Sequence, residues 1–402
     1  MNEHVAVVDL GYGDAGKGSV VDALCTGKTR AVLRFNGGAQ AAHNVVTEDG
    51  RHHTFAQFGS GTLRGVPTHL TRFVVVDPVA LAAEAAALGN PFELLTVDED
   101  ALLATPWHRA ANHRRERRVR HGSCGMGVGE TMAYALAHPN APRARDVLSR
   151  PVLQRKLAAV AADLGPCGVP LDDVVEAFVA FGERVRIVDS GFTSRLLGEG
   201  PCVFEGAQGV LLDEWLGWHP HTTWSTTTFA NVSALCPSFR RVGVVRTYTT
   251  RHGAGPFVTA DSALDLPEAH NGVGEWQGAF RAGHFDAVAH RYAVEVAGGV
   301  DGLAVTHLDA PERCPALRIC TSYSLDGTPW DRIVPGPARD LNYQSRLTGM
   351  LFRARMGTVR RPTDWAGEIG ALLGASVVLE SFGPRSSDKR VVAEPRPALA
   401  NR

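Results

Sequence analysis

The sequence predicts an α/β fold built on a mostly parallel central sheet, with long functional insertions between its elements. Three observations carry this. An apolar, β-branched opening strand runs into a glycine-rich loop; a helix-compatible pattern follows that loop; and strand-like and helix-like stretches then alternate along the 402 residues.

The opening strand is Val5-Ala6-Val7-Val8-Asp9-Leu10, apolar on both sides as a strand covered on both faces must be. Glycine-rich residues 11–18 break it, and Val20-Val21-Asp22-Ala23-Leu24 resumes with helical spacing. Further strands are predicted at 31–35, 73–76, 186–188, 201–204, 242–246, 302–306 and 375–380, and helices at 78–88, 152–164, 171–181 and 286–297. These elements predict one large domain over 1–390, and a flexible tail over 391–402. Between 104 and 150 the chain gathers His108, Arg109, His113, Arg114, Arg115, Arg117, Arg118, Arg120 and His121 before a glycine-rich stretch from Gly122 to Gly129. That stretch reads equally as a solvated helix face or as a local phosphate contact.

Composition narrows the function. Lys+Arg number 41 and Asp+Glu 42, a net charge of -1, so no global basic field draws the protein to nucleic acid or an anionic membrane. The 7 cysteines are odd in number and never form a C-x-x-C pair, which argues for reduced thiols and against a zinc site or disulfide framework. No signal sequence precedes the first strand and no apolar run approaches the ~18 residues of a membrane span, so a cytoplasmic protein is expected.

The loop Gly11-Tyr12-Gly13-Asp14-Ala15-Gly16-Lys17-Gly18-Ser19 satisfies G-x-x-x-x-G-K, with Gly18 where a Walker loop has Ser or Thr. Backbone N–H groups there, with a helix N-terminus and Lys17, suit a P-loop-like nucleotide-binding site. The alternative is a βα turn that only packs tightly. Asp14, set among phosphate-binding groups, reads as a magnesium ligand that doubles as a base, or as a turn-forming Asx residue. A second glycine turn, Gly37-Gly38-Ala39-Gln40-Ala41-Ala42-His43-Asn44, brings a titratable histidine close to the same strand ends.

Seven motifs in one colinear order resemble the adenylosuccinate synthetase family. Gly13-Asp14-Ala15-Gly16-Lys17-Gly18 resembles G-D-E-G-K-G, and Gly37-Gly38 through His43 resembles G-G-x-N-A-G-H-T. Val76-Asp77-Pro78-Val79-Ala80-Leu81 is similar to V-x-D-P-x-x-L, and the run from Glu205 to Asp213 to E-G-A-Q-G-x-L-L-D. Tyr248-Thr249-Thr250-Arg251-His252-Gly253-Ala254-Gly255-Pro256-Phe257 resembles Y-T-T-R-V-G-x-G-P-F, Thr306-His307-Leu308-Asp309 resembles T-K-L-D, and Ser381-Phe382-Gly383-Pro384 resembles S-x-G-P.

The resemblance implies a homodimer with shared active sites that uses GTP and Mg²⁺, with small nucleotide and amine substrates. GTP phosphorylates the 6-oxygen of IMP, and the amine of aspartate then displaces the phosphate. Asp14 matches the proton acceptor and metal ligand, with Ala42 a second ligand, and His43 matches the residue that stabilises the transferring phosphoryl group. Lys17 with Gly13, Gly16, Gly18 and Asn44 would hold the GTP phosphates, while Asp309 accepts from the guanine edge and Ser381, Gly383 and Pro384 close its pocket. Gln208, Thr223, Gln40, Cys124, Arg251, His252 and Arg281 match positions on the acceptor and amine side.

Departures from the family pattern concentrate on that side. Ala15 replaces Glu, Ser19 Lys, Gln40 Asn, Ala42 Gly, Asn44 Thr and His307 Lys, and Ser123-Cys124 stands for a Thr pair with Met126 for Arg. The arginine that the family donates across its dimer aligns with His138, with Arg143 and Arg145 nearby. Gly274-Glu275-Trp276-Gln277-Gly278-Ala279-Phe280-Arg281 keeps one arginine where the family carries several to grip aspartate. The expected function is therefore a GTP-dependent ligase acting on IMP or a related purine nucleotide or lactam. The alternative is a GTP-dependent kinase that stops at O-phosphorylation.

Overall fold

The structure, a computed structural model, describes residues 3–268 and 274–392. Its central sheet has ten strands among the described residues: β1 Val5–Asp9, β2 Val32–Arg34, β3 Thr68–Leu70, β4 Leu95–Asp98, β5 Arg186–Val188, β6 Val203–Glu205, β7 Arg240–Arg246, β8 Gly302–Thr306, β9 Val377–Ser381 and β10 Lys389–Val391. The spatial order is β10-β9-β8-β7-β1-β6-β2-β3-β4-β5, parallel throughout except for β10, which runs antiparallel on β9. The mostly parallel α/β fold expected from the sequence is present.

The continuous apolar run of β1 is explained by its two covered faces. Val5 and Val7 pack with Val20 and Val21 of helix α1 (Lys17–Leu24), whereas Ala6 and Val8 face the opposite core with Phe204, Val288 and Tyr292. A third core lies under β3 and β4, where helices α2 (Pro78–Ala87), α5 (Arg150–Leu164) and α6 (Leu171–Arg184) supply Leu81, Leu153, Leu157 and Phe178. Asp77 starts α2 by accepting from the Val79 and Ala80 N–H groups, with Pro78 in the first turn. The arginine-rich stretch forms helix α3 (Pro106–Val119), burying Trp107, His108, Asn112 and Glu116, and helix α4 (Val128–Ala137) follows the glycine-rich turn.

Three sheet strands escaped the sequence reading. β3 and β4 are short and half polar, and both ring nitrogens of His69 in β3 are satisfied internally, by Thr96 of β4 at 3.0 Å and by Thr193 at 2.9 Å. β10 extends one residue into the tail predicted from 391, the remainder of which, from 393, lies outside the described residues. Conversely, the strand predicted at 73–76 shrinks to Val75–Val76, which pairs with Leu102–Leu103 outside the central sheet. No helix among the described residues is long and apolar enough to cross a membrane.

The chain leaves β1 and re-enters the sheet at β2, beyond β6, while β7 lies on the opposite side of β1. Loops leaving β1, β6 and β7 thus diverge around one crevice, the place where open α/β sheets hold ligands.

Candidate functional site

A cleft of about 850 Å³ opens at the carboxyl ends of these strands. Its walls come from the turns that follow β1, β2, β6, β7, β8 and β9, so segments separated by more than three hundred residues converge on it. Asp14, Lys17, Gln40, Ala42, His43, Asn44, Cys124, Gln208, Thr223, Arg251, His252, Asp309, Ser381, Gly383 and Pro384 all line this one cleft.

The glycine-rich loop after β1, the proposed phosphate loop, is organised from beneath by Asp9, the last residue of β1. Its fully buried carboxylate accepts from the N–H groups of Gly11 (2.8 Å), Gly13 (3.3 Å) and Ala15 (2.8 Å) and from Lys17 Nζ (3.2 Å). Lys17 Nζ also donates to the Gln208 carbonyl at 2.6 Å, tying the β1 loop to the β6 loop. Gly16 adopts the left-handed conformation, φ 92°, that lets the chain turn into α1 with its first N–H groups at the cleft. Those groups and the helix dipole favour an anion. Gly209 completes the join: a Cβ there would lie 2.3 Å from the Gly11 oxygen and 2.4 Å from the Gly13 nitrogen.

His43 leaves β2 through the second glycine turn and is buried, with Nδ1 2.6 Å from Glu205 Oε1. Glu205 ends β6, pairs in register with Arg34 at the end of β2, and accepts from the Ser60 N–H (2.9 Å) and hydroxyl. Burial alone would raise the Glu205 carboxyl, but the Arg34 guanidinium and the bonds from His43 and Ser60 outweigh it and hold it at about 2. Burial pulls the His43 imidazole below its ordinary value, against the pull of Glu205. An ionised Glu205 fixes Nδ1 as the donor and leaves Nε2 for a ligand, the arrangement by which a carboxylate orients a working histidine.

Asp14 stands in the left-handed region at φ 59°, and its carbonyl accepts from Arg246 Nε at 2.5 Å. Arg246, the last residue of β7, also binds Glu268 and the Tyr248 hydroxyl (2.8 Å). Gln208, likewise left-handed at φ 64°, donates from Nε2 to Thr223 Oγ1 at 2.6 Å, while its Oε1 is buried without a partner. Both amide atoms of Gln40 are buried without partners as well. Buried polar atoms left unbonded in a cleft point to a ligand's polar edge.

At the other end of the cleft, Asp309 follows β8 and pairs with Arg313 at 2.9 Å, both partly exposed. Ser381 donates to the Gly383 carbonyl at 3.2 Å and accepts from the Leu308 N–H through its own carbonyl at 3.0 Å, joining the β8 and β9 turns. Lys389 braces the same turn through the carbonyls of Gly383 (2.9 Å) and Arg385 (2.8 Å), and burial brings its ammonium down to about 8. His307, where the family motif has lysine, is pulled well below its ordinary value by burial and then by Arg246, Arg313 and Lys389, so it brings no charge here. Asn44 faces its hairpin partner strand, accepting from His52 (2.9 Å) and Thr54 (2.7 Å).

Where the resemblance expects the acceptor, Arg251 is fully buried and its guanidinium is engaged by the carbonyls of Ala254 (3.2 Å), Pro256 (3.0 Å) and His221 (3.1 Å) over the Tyr12 ring. Arg281 stands opposite it on the antiparallel ribbon Thr249–His252/Phe280–Gly283 and donates to the carbonyls of Gly253 (2.6 Å) and Gly255 (3.0 Å). Both arginines therefore shape the 253–256 turn. Trp276 stacks on His113 of α3, with centroids 4.5 Å apart, and Arg117 lies 5.7 Å from its ring centroid. Cys124 joins the cleft through the turn after α3, where burial raises its thiol, and Arg115 lines the cleft beside it.

Asp14 and Ala42, which line the same cleft as the N-terminus of α1, carry oxygen donors of the kind that suits Mg²⁺, a carboxylate and a main-chain carbonyl. That sparse set fits an ion that keeps waters and substrate phosphate oxygens in its shell.

The sequence reading passed over Asp9, Arg34, Ser60 and Glu205 as site residues. Two signals could have found Asp9, Arg34 and Glu205: charged residues closing otherwise apolar strands, and the glutamate opening the E-G-A-Q-G motif; Ser60 carries neither.

A family model described as adenylosuccinate synthetase matches residues 6–348. Adenylosuccinate synthetase of Thermobifida fusca is 31% identical over 365 aligned positions, 82% of this chain and 83% of that protein. The Magnetococcus marinus enzyme is 31% identical over 434 aligned positions, covering 98% of this chain and 99% of its own. Among solved structures, fully ligated adenylosuccinate synthetase of Plasmodium falciparum superposes with a TM-score of 0.81 at 19% identity, covering 97% of this chain and 100% of that one. The cyanophage S-2L succinoaminodeoxyadenylate synthetase, bound to dGMP and to dATP as an energy donor, superposes at 0.65 with 20% identity, over 97% and 95% of the two chains. With its glycine-rich loop after β1, its histidine–glutamate pair and this agreement along the sequence, the chain belongs to the adenylosuccinate synthetase family.

Proposed function

We propose that the chain is a GTP-dependent C–N ligase that phosphorylates the 6-oxygen of IMP, or of a related purine nucleotide or lactam, and then exchanges the phosphate for an amine. The observation that carries this reading is the convergence of Asp14 and the His43–Glu205 pair on the cleft that also holds the phosphate loop and Asp309.

GTP lies with its phosphates on the N-terminus of α1 and its base toward Asp309 and Ser381, whose carboxylate and carbonyl-linked turn suit the donor edge of guanine. On binding, the Asp309–Arg313 contact opens at small cost, since exposed i,i+4 pairs contribute about 0.3–0.5 kcal/mol. Asp14 takes the proton from the ring nitrogen beside the reacting oxygen and makes that oxygen the nucleophile. His43, its Nδ1 proton held by Glu205, presents Nε2 to the phosphoryl group in flight and later to the departing phosphate. Asp14 and the Ala42 carbonyl would hold Mg²⁺, which would neutralise charge at the phosphates.

The acceptor side favours a nucleotide whose polar edge meets the unbonded amides of Gln40 and Gln208. The guanidiniums of Arg251 and Arg281 are engaged with backbone carbonyls, which favours an amine that needs no dicarboxylate clamp. The cyanophage neighbour carries dGMP and dATP, so this fold holds purine nucleotides other than IMP and GTP.

Phosphate release from GTP and Mg²⁺ tests the reading, with IMP and other purine nucleotides as acceptors, each with aspartate, with other amines and with none. Release that needs both a purine nucleotide and an amine is expected. GDP formation, followed alongside, that needs the acceptor but no amine and frees no phosphate marks the kinase, absence of any GTP turnover across the panel removes the reading, and aspartate as the single working amine removes the clause on the clamp.

A further inference from the structure

One short segment holds Asp14 at both ends. Arg246, where β7 finishes, binds its carbonyl at 2.5 Å, and six residues later His252 brings Nε2 to 3.5 Å from its Oδ2. Asp14 is not in a relaxed conformation: φ 59° is a left-handed backbone that costs a non-glycine residue free energy and persists only where neighbours over-determine it. His252 is itself fixed, since the ribbon pairs it with Phe280, whose ring meets the imidazole edge-on with centroids 4.8 Å apart. No other ion pair to the Asp14 carboxylate exists among the described residues. The family motif Y-T-T-R-V-G-x-G-P-F has valine at this position, which could touch Asp14 but could offer it no N–H.

We propose that His252 is a positioning residue for Asp14: its Nε2–H directs the carboxylate toward the acceptor, a task that valine performs in no relative carrying the family motif. The proposal rests on the phosphoryl-transfer reading given above for its effect on rate, but the contact itself does not. A carboxylate released from one of its restraints explores positions away from the reacting atom, and misplacement of about 1 Å costs on the order of 100-fold in rate.

The test has two arms. In the first, kcat and KM for GTP are measured for His252→Val and His252→Gln, the glutamine placing an N–H near the position of Nε2. His252→Val is expected to lose about 10-fold or more in kcat at unchanged KM for GTP. His252→Gln is expected to recover most of that loss. Wild-type kcat in His252→Val, or a loss that glutamine leaves unrepaired, would overturn the proposal. The second arm needs no turnover: thermal midpoints of Asp14→Asn, His252→Val and the double variant form a cycle. A double variant whose midpoint departs from the sum of the single shifts supports the contact. Additive shifts overturn it whatever the acceptor proves to be, and a dead wild type with coupled midpoints places the failure in the phosphoryl-transfer reading instead.

Discussion

Lys17 and Asp9 form a buried ion pair beneath the phosphate loop, and the same carboxylate holds three loop N–H groups. Taking away one partner leaves a buried charge uncompensated, which costs about 3–5 kcal/mol. Asp9→Ala should therefore lower the thermal midpoint and weaken GTP binding, both read from melting curves with and without GTP; an unchanged midpoint would remove Asp9 from its organising role. Glu205→Gln keeps the shape of its site but loses the charge that holds His43. It should lower kcat by about 10²–10³-fold with GTP affinity little altered, as expected when a positioned donor to the charge of the transferring phosphoryl group is lost; a rate near wild type would leave His43 working without its carboxylate. Asp14, Lys17 and His43 were legible in the sequence because each sits in a glycine turn with a recognisable motif. Asp9 and Arg34 were not, because a charged residue at the end of a buried strand shows its purpose only once its partner from another strand is beside it.

At the scale of elements, the site depends on how closely the β1 and β6 turns approach. Gly209 has no room for a side chain, since its Cβ would meet backbone atoms of the phosphate loop rather than a flexible side chain. Gly209→Ala should destabilise by about 1–3 kcal/mol, the usual cost of overpacking, and weaken GTP binding as the loop shifts. Calorimetric unfolding and nucleotide titration check this; wild-type affinity with a normal midpoint would show that the turns can part. Elements with continuous apolar runs, β1, β7 and β8, were read from the sequence within two residues. β3 and β4 were missed because His69 and Thr96 interrupt their apolar pattern, and the hydrogen bonds that let His69 be buried there are supplied by tertiary structure.

Across the whole molecule, stability should fall as acid is added, and the direction follows from two buried groups. Burial brings His69 from its ordinary 6.5 down to about 4, so between those values the unfolded chain binds the proton more readily and the folded state loses ground as pH falls. Glu205, lowered from 4.5 to about 2, extends the loss to more acid conditions. His69→Gln should flatten the fall in thermal midpoint between pH 6.5 and pH 4, whereas an unchanged slope would assign it to other groups. The α/β architecture and the cleft at its strand ends were legible from alternation and from the first loop. The proposed acceptor side was not, because the cleft walls there come from α3, the 253–256 turn and Gln40, which no single motif joins. Positional isotope exchange in GTP labelled with ¹⁸O at the β,γ-bridge, with Mg²⁺ and IMP or a related purine nucleotide present and the amine left out, addresses the central claim most directly. Scrambling of the label that needs the acceptor and disappears in Asp14→Asn is the expected result, because it reports reversible phosphoryl transfer within the cleft. A label that stays at the bridge with every purine acceptor tried would contradict that claim.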